Sequence, residues 1–292
     1  MDALLKRILR KALRAIGLTP KRSPPFLSRV RPFTFSSEAI VPKGSHLLRP
    51  VSRPAPSSLA DIPELSSKLG QLWQAAGKTH KWPHYFPIYE ETLERFIGTP
   101  IRILEIGVST GGSLRMWRSY LGDASLVVGI DINSDCAQHD DPENGINVRI
   151  GSQADPEFLR KVAKEFGPFD AIIDDGSHMA SHIATSFKTL FENALKPGGV
   201  YLIEDTHALY WERFRDANYG LAEITGELID LMHSHYWMVG GHAQFLLASA
   251  HQLKEVTVPA IAPMIRRIEV TDSVLAVHKA AGLTLLPANV HI

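Results

Sequence analysis

Short apolar runs bounded by turn residues alternate with helical segments through the middle of this 292-residue chain. The runs predict strands at residues 101–106, 126–132, 148–150, 171–174 and 200–203, and the segments between them predict helices at 113–121, 156–166 and 181–195. Because strands that alternate with helices form βαβ units, we expect an α/β fold with a mainly parallel sheet covered on both faces. Right-handed crossovers place the carboxyl ends of such strands at one edge, where open α/β sheets bind ligands.

The first predicted strand runs into the glycine-rich turn GVSTGG at residues 107–112. Glycines let the backbone turn sharply and approach a ligand, and the following helix offers its first amides. Asp131 ends the second strand, where an acid can accept hydrogen bonds from a ribose diol. We therefore predict a nucleoside site that includes Gly107, Ser109 and Asp131. The alternative is an ordinary strand-to-helix turn with an aspartate that caps a helix.

The details of this turn favour S-adenosylmethionine over a dinucleotide. The G-x-G-x-x-G spacing is absent, so a close fit around a pyrophosphate is less expected. Glu105 places a carboxylate near the ligand, which suits an amino group or a sulfonium and repels phosphate. Ser152 and Gln153 follow the third strand and can present hydrogen-bonding groups to adenine. Asp174, at the end of the fourth strand, completes the predicted cofactor contacts.

Acidic residues also follow the fourth and fifth strands, at Asp175 and at Glu204-Asp205. If these strands are neighbours, the three carboxylates converge as a set of hard oxygen ligands of the kind that Mg²⁺ prefers. The alternative is helix capping at Asp174 or Asp175 and a solvated Glu204-Asp205 pair. His178 lies three residues beyond Asp175 and is the predicted general base. A bound metal acidifies a coordinated hydroxyl, so an imidazole can then take its proton.

With these residues in place, the chain resembles the macrolide-sugar O-methyltransferases of the macrocin and mycinamicin type, the related rhamnosyl O-methyltransferases and cephalosporin hydroxylase-like proteins. The matching stretches are KWPHYFPIYE (81–90), LEIGVSTGGSLRMW (104–117), GIDI (129–132), GSQADPEFL (151–159), IIDDGSH (172–178) and KPGGVYLIEDTH (196–207). The resemblance implies a Rossmann-like class I methyltransferase fold that binds S-adenosylmethionine and Mg²⁺. It also implies metal binding by Asp175, Glu204 and Asp205, a general-base role for His178, and a place for Tyr85 in the segment that encloses the cofactor.

Composition and residue pattern divide the chain from residue 61 onwards into four regions. Residues 61–98 are predicted as a helical lead-in, 99–205 as the cofactor and metal half, and 206–262 as a lid over the acceptor. Residues 263–292 are predicted to close the sheet with an antiparallel hairpin, from strands at 268–270 and 274–277. The aromatic residues assigned to the lid are Tyr210, Trp211, Phe214, Tyr219, Tyr236 and Trp237.

The first 60 residues differ in character from the rest. They hold twelve Lys or Arg and two acids, whereas the whole chain has no net charge. An apolar stripe opposite five basic residues predicts an amphipathic helix over residues 1–18, and the proline-rich stretch after it predicts a linker. Such a helix can lie on an anionic membrane surface. The alternatives are packing on its own domain or a partner, and disorder until something binds it.

The single cysteine, Cys136, excludes an intrachain disulfide framework, and no apolar run approaches the length of a membrane span. We expect a cytoplasmic enzyme, with residues 1–18 as its one candidate for peripheral membrane contact. The expected reaction is Mg²⁺-assisted methyl transfer to a hydroxyl of a sugar or polyketide-like acceptor, a glycosylated metabolite in particular. No nucleic-acid partner is expected, and a homo-oligomer is left open. The rival classes are a nicotinamide-dependent oxidoreductase and a non-catalytic protein that binds S-adenosylmethionine.

Overall fold

The computed structural model describes residues 50–238 and 256–282, without the side chains of residues 237 and 238. The chain divides into two units, Met1–Pro54 and Ala55–Ile292, and all elements below belong to the second. The helix predicted over residues 1–18 lies outside the described residues, and the boundary at residue 60 stays a prediction. Within the described ranges, no helix is both long enough and apolar enough to cross a bilayer.

Seven strands form one sheet in the order β3-β2-β1-β4-β5-β7-β6. Strands β1 to β5 pair in parallel, and β7 pairs antiparallel with both β5 and β6. The strands are β1 (Arg102–Ile106), β2 (Leu126–Asp131), β3 (Ile146–Ile150), β4 (Phe169–Asp174), β5 (Leu195–Ile203), β6 (Ile265–Thr271) and β7 (Val274–Lys279). The predicted α/β fold, a mainly parallel sheet closed by a C-terminal antiparallel hairpin, is confirmed.

Helices cover the sheet and lead into it. They are α1 (Lys68–Ala75), α2 (Phe86–Leu93), α3 (Gly112–Leu121), α4 (Pro156–Phe166), α5 (Ala180–Leu190), α6 (Leu221–Met232) and α7 (Ser234–Met238). Short 3-10 helices span Leu59–Asp61, Pro63–Ser66, Pro83–Tyr85, Glu94–Phe96, Ser134–His139, Pro142–Asn144, Thr206–Tyr210, Glu212–Phe214 and Ala262–Met264. The helix predicted to reach residue 195 ends at Leu190, because Pro197 disfavours a helical Lys196 and Leu195 already pairs with Phe169 as the start of β5.

Successive residues of a strand pack alternately into two hydrophobic cores, one on each face of the sheet. On β1, Ile103 packs with the face covered by α1, α2 and α3, and Leu104 with the face covered by α4, α5 and α6. Val127 and Val128 divide in the same way on β2. Each of these side chains is fully buried, and such burial stabilises the fold by about 1.5–3 kcal/mol per side chain. Burial on both faces explains why the strands read as nearly continuous apolar runs.

The strand register brings the ends of the central strands to one level. Ile106 pairs with Ile130 on β2 and with Asp174 on β4, and Asp174 pairs with Ile203 on β5. The residues that follow these strands therefore share one edge of the sheet, which is the edge expected to bind ligands.

Candidate active site

The turn after β1 has a backbone that only glycine accommodates at its first position. Gly107 has φ 99°, and a Cβ atom there would lie 2.1 Å from the carbonyl oxygen of Asp175. Ser109 and Gly111 also have positive φ, 49° and 70°. The turn therefore presses against the end of β4 and delivers the chain into the first turn of α3 at Gly112.

Asp131, at the end of β2, holds this turn in place. Its Oδ2 accepts hydrogen bonds from the backbone N–H groups of Val108 (2.9 Å) and Ser109 (3.0 Å), and its Oδ1 accepts one from Asn133 (2.8 Å). Burial raises the pKa of this carboxyl, but the N–H groups of Asn133, Ser109 and Val108 outweigh burial, so that the pKa is lowered. The carboxylate stays ionised beside the cleft and keeps lone pairs free for a ligand.

A cleft opens between the ends of β1, β2, β3 and β4. Six predicted cofactor or metal residues line it: Gly107, Ser109, Asp131, Ser152, Gln153 and Asp175. Thr79, His80, Ser177 and His182 also line it, although they are not among the predicted site residues. Ser177 Oγ is 2.7 Å from His182 Nδ1, so these two side chains form a polar wall of the cleft. The arrangement suits a polar ligand with a nucleoside part, and the individual cofactor contacts stay predictions.

Asp174 lies behind this cleft rather than in its lining. Its side chain is buried and accepts hydrogen bonds from Gln153 Nε2 (2.9 Å), Tyr201 Oη (3.0 Å) and the Ser186 hydroxyl. Burial raises the pKa of Asp174, and these hydroxyl and amide donors oppose the rise. Gln153 in turn accepts from the Ser177 N–H at 2.7 Å. Asp174 therefore fixes the side chain of Gln153, which does line the cleft.

Lys81, which is not among the predicted site residues, joins three carboxylates at the ends of β1, β4 and β5. Its Nζ lies 2.5 Å from Asp175 Oδ2, 2.7 and 3.0 Å from the two oxygens of Glu204, and 3.2 Å from Glu105 Oε1. Only 1% of its side chain is exposed. Burial lowers the pKa of Lys81, but Asp175, Glu204 and Glu105 together hold it well above the ordinary value. Burial and the charge of Asp175 raise the pKa of Glu204 to about 8, and Lys81 opposes that rise, so the ammonium and the carboxylates stabilise one another's charges.

Glu105 also lies beneath the cleft rather than in its lining. Its carboxylate accepts hydrogen bonds from Ser113 Oγ (2.6 Å) and Trp117 Nε1 (3.1 Å) on α3. Together with Lys81, these donors surround a side chain that has no exposed surface. Glu105 therefore ties α3 to Lys81, and its predicted contact with a sulfonium stays a prediction.

A second, more exposed group lies at the mouth of the site. Ligand atoms of Asp175, His178 and Asp205 all lie within 4.8 Å of one another. His178 Nε2 is 3.6 Å from Asp205 Oδ2 and 3.9 Å from Asp175 Oδ1, and each of the three side chains is about one-fifth exposed. His178 and Asp205 both have positive φ, 58° and 50°. Such backbone strain in non-glycine residues is typical of functional sites.

Tyr85 supports this outer group. Its hydroxyl donates to Asp205 Oδ1 at 2.6 Å, and its ring is buried. Burial, followed by the hydrogen bond to Asp205 and the charge of that carboxylate, raises the pKa of Tyr85 far above its ordinary value, so the hydroxyl stays protonated and donates. The sequence placed Tyr85 with the cofactor, whereas its direct contact is with a predicted metal ligand.

Aromatic and imidazole rings border the outer group on its exposed side. The ring centroid of His207 lies 6.0 Å from that of Trp82 and 5.0 Å from that of Trp211. The ring centroid of Phe214 lies 6.1 Å from that of Trp211 and 6.3 Å from that of His178. Trp82 is 46% exposed and Trp211 55% exposed. Large exposed aromatic surfaces next to a polar site are typical of ligand contacts.

Comparison with known proteins shows that the chain is similar to methyltransferases. Residues 104–206 match a family model described as a methyltransferase domain. Over 198 residues, the chain is 37% identical to the 8-demethyl-8-(2-methoxy-alpha-L-rhamnosyl)-tetracenomycin-C 3'-O-methyltransferase of Streptomyces olivaceus, covering 63% of this chain and 48% of that protein. It is 42% identical to the mycinamicin VI 2''-O-methyltransferase of Micromonospora griseorubida over 139 residues, 45% of this chain and 34% of that protein. The chain thus spans about half the length, or less, of these relatives.

Solved structures that resemble this chain also include methyltransferases. MycE methyltransferase from the mycinamycin biosynthetic pathway, in complex with Mg and SAH, has a TM-score of 0.61 and 28% identity, covering 73% of this chain and 55% of MycE. A MycE complex that also holds mycinamycin VI has a TM-score of 0.60 and covers 76% of this chain and 56% of MycE. The chain therefore has the class I methyltransferase fold, and its residues 104–206 match a methyltransferase-domain model and are similar to the corresponding part of macrolide-sugar and rhamnosyl O-methyltransferases.

Proposed function

We propose that this chain transfers the methyl group of S-adenosylmethionine to a hydroxyl of a sugar or polyketide-like acceptor, with Mg²⁺ assisting and His178 as the general base. The observation that carries the proposal is the meeting of two sites at one edge of the sheet. A cleft bounded by Gly107 and Asp131 shares Asp175 with the group that contains His178 and Asp205. A methyl donor and a hydroxyl held on either side of Asp175 would be neighbours.

The outer group suits Mg²⁺ by the chemistry of its donors. Asp175 and Asp205 offer hard carboxylate oxygens, and their partial exposure leaves room for water or acceptor oxygens. Among the described residues, this group is two aspartates and one histidine, whereas a structural zinc site is built mainly from cysteines. Complexes of the similar MycE with Mg and SAH support the assignment. Glu204, whose two oxygens contact Lys81, keeps further lone pairs, and its predicted role as a metal ligand stays a prediction.

Each residue then has a role in the reaction. Bound S-adenosylmethionine would supply an electrophilic methyl, and bound Mg²⁺ would lower the pKa of an acceptor hydroxyl. His178 Nε2 faces the same space as the oxygens of Asp175 and Asp205, so it can take the hydroxyl proton there. Tyr85 orients Asp205, and the polar wall of Ser177 and His182 bounds the donor cleft. Catalysis then consists chiefly of positioning and electrostatic stabilisation.

The rings beside the outer group supply an acceptor surface. Trp82, His207, Trp211 and Phe214 border the side of the group that is open to solvent. Flat aromatic faces pack against the apolar faces of sugar or polyketide rings. Two neighbouring hydroxyls on such a ring could reach the metal together, so a vicinal diol on a glycosylated metabolite is the proposed acceptor. The lid assigned to residues 206–262 contributes His207, Trp211 and Phe214 to this surface, and residues 239–255 of it lie outside the described residues.

The test is formation of S-adenosylhomocysteine, measured by mass spectrometry with a panel of glycosides and catechols. We expect turnover with Mg²⁺ and its loss in excess chelator. Asp205→Asn should lose the response to Mg²⁺ while binding of S-adenosylmethionine persists. The matched control is Asp216→Asn, because the Asp216 carboxylate accepts hydrogen bonds from Ser181 at the start of α5 and should not affect metal dependence. Undiminished turnover in chelator would contradict the proposal.

We extend the proposal to a peripheral membrane contact through residues 1–18. Support comes from the sequence alone, because Leu5, Leu9 and Leu13 fall on one side of a helical wheel and basic residues fall on the other. The full chain should float with vesicles that contain anionic lipid and should dissociate as salt rises. Leu9→Glu should abolish flotation. Equal flotation of this variant, or none by the natural chain, would contradict the extension.

A further inference from the structure

Two carboxylate groups overlap at this site and share Asp175. The inner group is Glu105, Asp175 and Glu204, and the outer group is Asp175, His178 and Asp205. In each group the ligand atoms lie within 4.8 Å of one another, so either could gather around a cation. Asp175 turns Oδ2 towards the inner group and Oδ1 towards His178. Geometry alone therefore offers two adjacent cation positions.

The Lys81 ammonium fills the inner position. Its contacts reach all three inner carboxylates, at 2.5 to 3.2 Å. An ammonium has three N–H donors, which matches one donor for each inner carboxylate. Lys81 precedes α2 in sequence, whereas its partners follow β4 and β5 or lie on β1. The lysine therefore connects the helical lead-in to three neighbouring strands of the sheet.

The charges of the whole cluster fit a single divalent ion. When fully ionised, Glu105, Asp175, Glu204 and Asp205 carry four negative charges. Lys81 supplies one positive charge, a divalent ion two, and the sulfonium of a methyl donor one, which leaves the loaded site neutral. With Lys81 in place, a second divalent ion would leave the loaded site with two excess positive charges. Buried charge without a partner is costly.

We propose that Lys81 is the permanent inner cation of a two-cation site, where it fixes Asp175 and Glu204 and keeps a second divalent ion out. This makes Lys81 a positioning residue, because it acts through the carboxylates rather than on the methyl donor or the acceptor. The inference rests on the proposed function only for the identity of the outer ion. The inner contacts belong to the chain itself.

The first test counts Mn²⁺ ions bound by the full chain, using equilibrium dialysis with electron paramagnetic resonance to measure free Mn²⁺. The natural chain should bind one ion, and two bound ions would overturn the inference. No bound ion would instead count against the metal in the proposed function, so the two failures are distinct. Lys81→Ala opens the inner position and should bind a second ion, whereas Lys81→Arg should restore a count of one. A single ion bound by Lys81→Ala would also overturn the inference.

The second test measures thermal unfolding with and without Mn²⁺. In chelator, Lys81→Ala should unfold roughly 6–20 °C below the natural chain, and Mn²⁺ should recover part of the loss. The matched control is Lys279→Ala, another buried lysine, whose ammonium donates to the backbone carbonyls of Phe191, Glu192 and Leu195. It should lose stability without recovery by Mn²⁺. Equal recovery in both variants, or none in either, would overturn the inference.

A double variant covers the case in which Lys81→Ala does not fold. Lys81→Ala with Glu105→Gln removes one buried negative charge along with the positive one, so it should be more stable than Lys81→Ala alone. A double variant that is no more stable than the single variant would overturn the electrostatic role of Lys81.

Discussion

Replacement of Tyr85 by Phe tests whether Asp205 is held for a metal. The change removes one hydroxyl from a buried ring and with it the 2.6 Å hydrogen bond to Asp205 Oδ1. A hydrogen bond to a charged group contributes about 1.5–3 kcal/mol, which corresponds to roughly 10- to 100-fold in an equilibrium constant. Loss of a residue that orients a metal ligand has an effect of similar size on metal affinity. We therefore expect Mg²⁺ activation to need about 10- to 100-fold more Mg²⁺.

The assay is the rate of S-adenosylhomocysteine formation as a function of Mg²⁺ concentration, together with direct Mn²⁺ binding. Affinity for S-adenosylmethionine should change little, because Tyr85 contacts Asp205 and does not line the donor cleft. Tyr120→Phe is the matched control, since Tyr120 is a buried tyrosine on α3. The reasoning is refuted if Tyr85→Phe and Tyr120→Phe both keep the natural dependence on Mg²⁺.

Four further substitutions test other parts of the account. His178→Gln should lower kcat about 100- to 10,000-fold and leave the affinity for S-adenosylmethionine unchanged in calorimetry; a kcat within threefold of natural would exclude the general-base role. Asp131→Asn should weaken the affinity for S-adenosylmethionine about tenfold or more. Because the pKa of Asp131 is lowered in the folded state, the natural carboxylate adds stability at neutral pH, and this stability is lost as acid protonates it. Equal acid unfolding of the natural chain and Asp131→Asn would refute the stabilising role. Trp211→Ala should raise the acceptor KM roughly five- to tenfold without changing kcat; an unchanged KM argues against the aromatic surface. Gly107→Ala should destabilise the chain in urea unfolding by about 2 kcal/mol or more, well beyond Gly98→Ala, whose Cβ meets open space; equal losses would contradict the close approach to β4.

The fold could be predicted from the sequence because its signals are local and repeated. Apolar runs separated by helical segments fix the strand and helix identities, and the crossover rule fixes which ends of the strands meet. The residues that directly follow the strands, Gly107 and Asp175, consequently line the predicted cleft. Prediction of the end of α5 was wrong by five residues, because apolar residues such as Phe191 continue the helical period into a turn.

Glu105 and Asp174 show the limit of placing residues by position along a strand. Both lie within strands, at the last or next-to-last position. Side chains inside a strand point to one face of the sheet or the other, so Glu105 meets Ser113 on α3 and Asp174 meets Ser186 on α5.

Lys81 could not have been assigned from the sequence. Its partners are 24, 94 and 123 residues away, so no local pattern connects them. A lysine is also among the residues least often buried. The carboxylates at the strand ends predicted a cation between them, and that expectation did not distinguish a metal ion from an ammonium. Tertiary structure supplies the distinction, because it separates an inner group around Lys81 from an outer group beside His178.

The central claim is that a divalent ion binds between the ends of β4 and β5, next to the methyl donor. The most direct measurement is an anomalous difference map from crystals of this protein grown with Mn²⁺ and S-adenosylhomocysteine. We expect one strong peak within coordination distance of Asp175 and Asp205, with His178 beside it and Lys81 still in contact with Glu204. Absence of a peak there, or a peak in the position of the Lys81 ammonium, would contradict it.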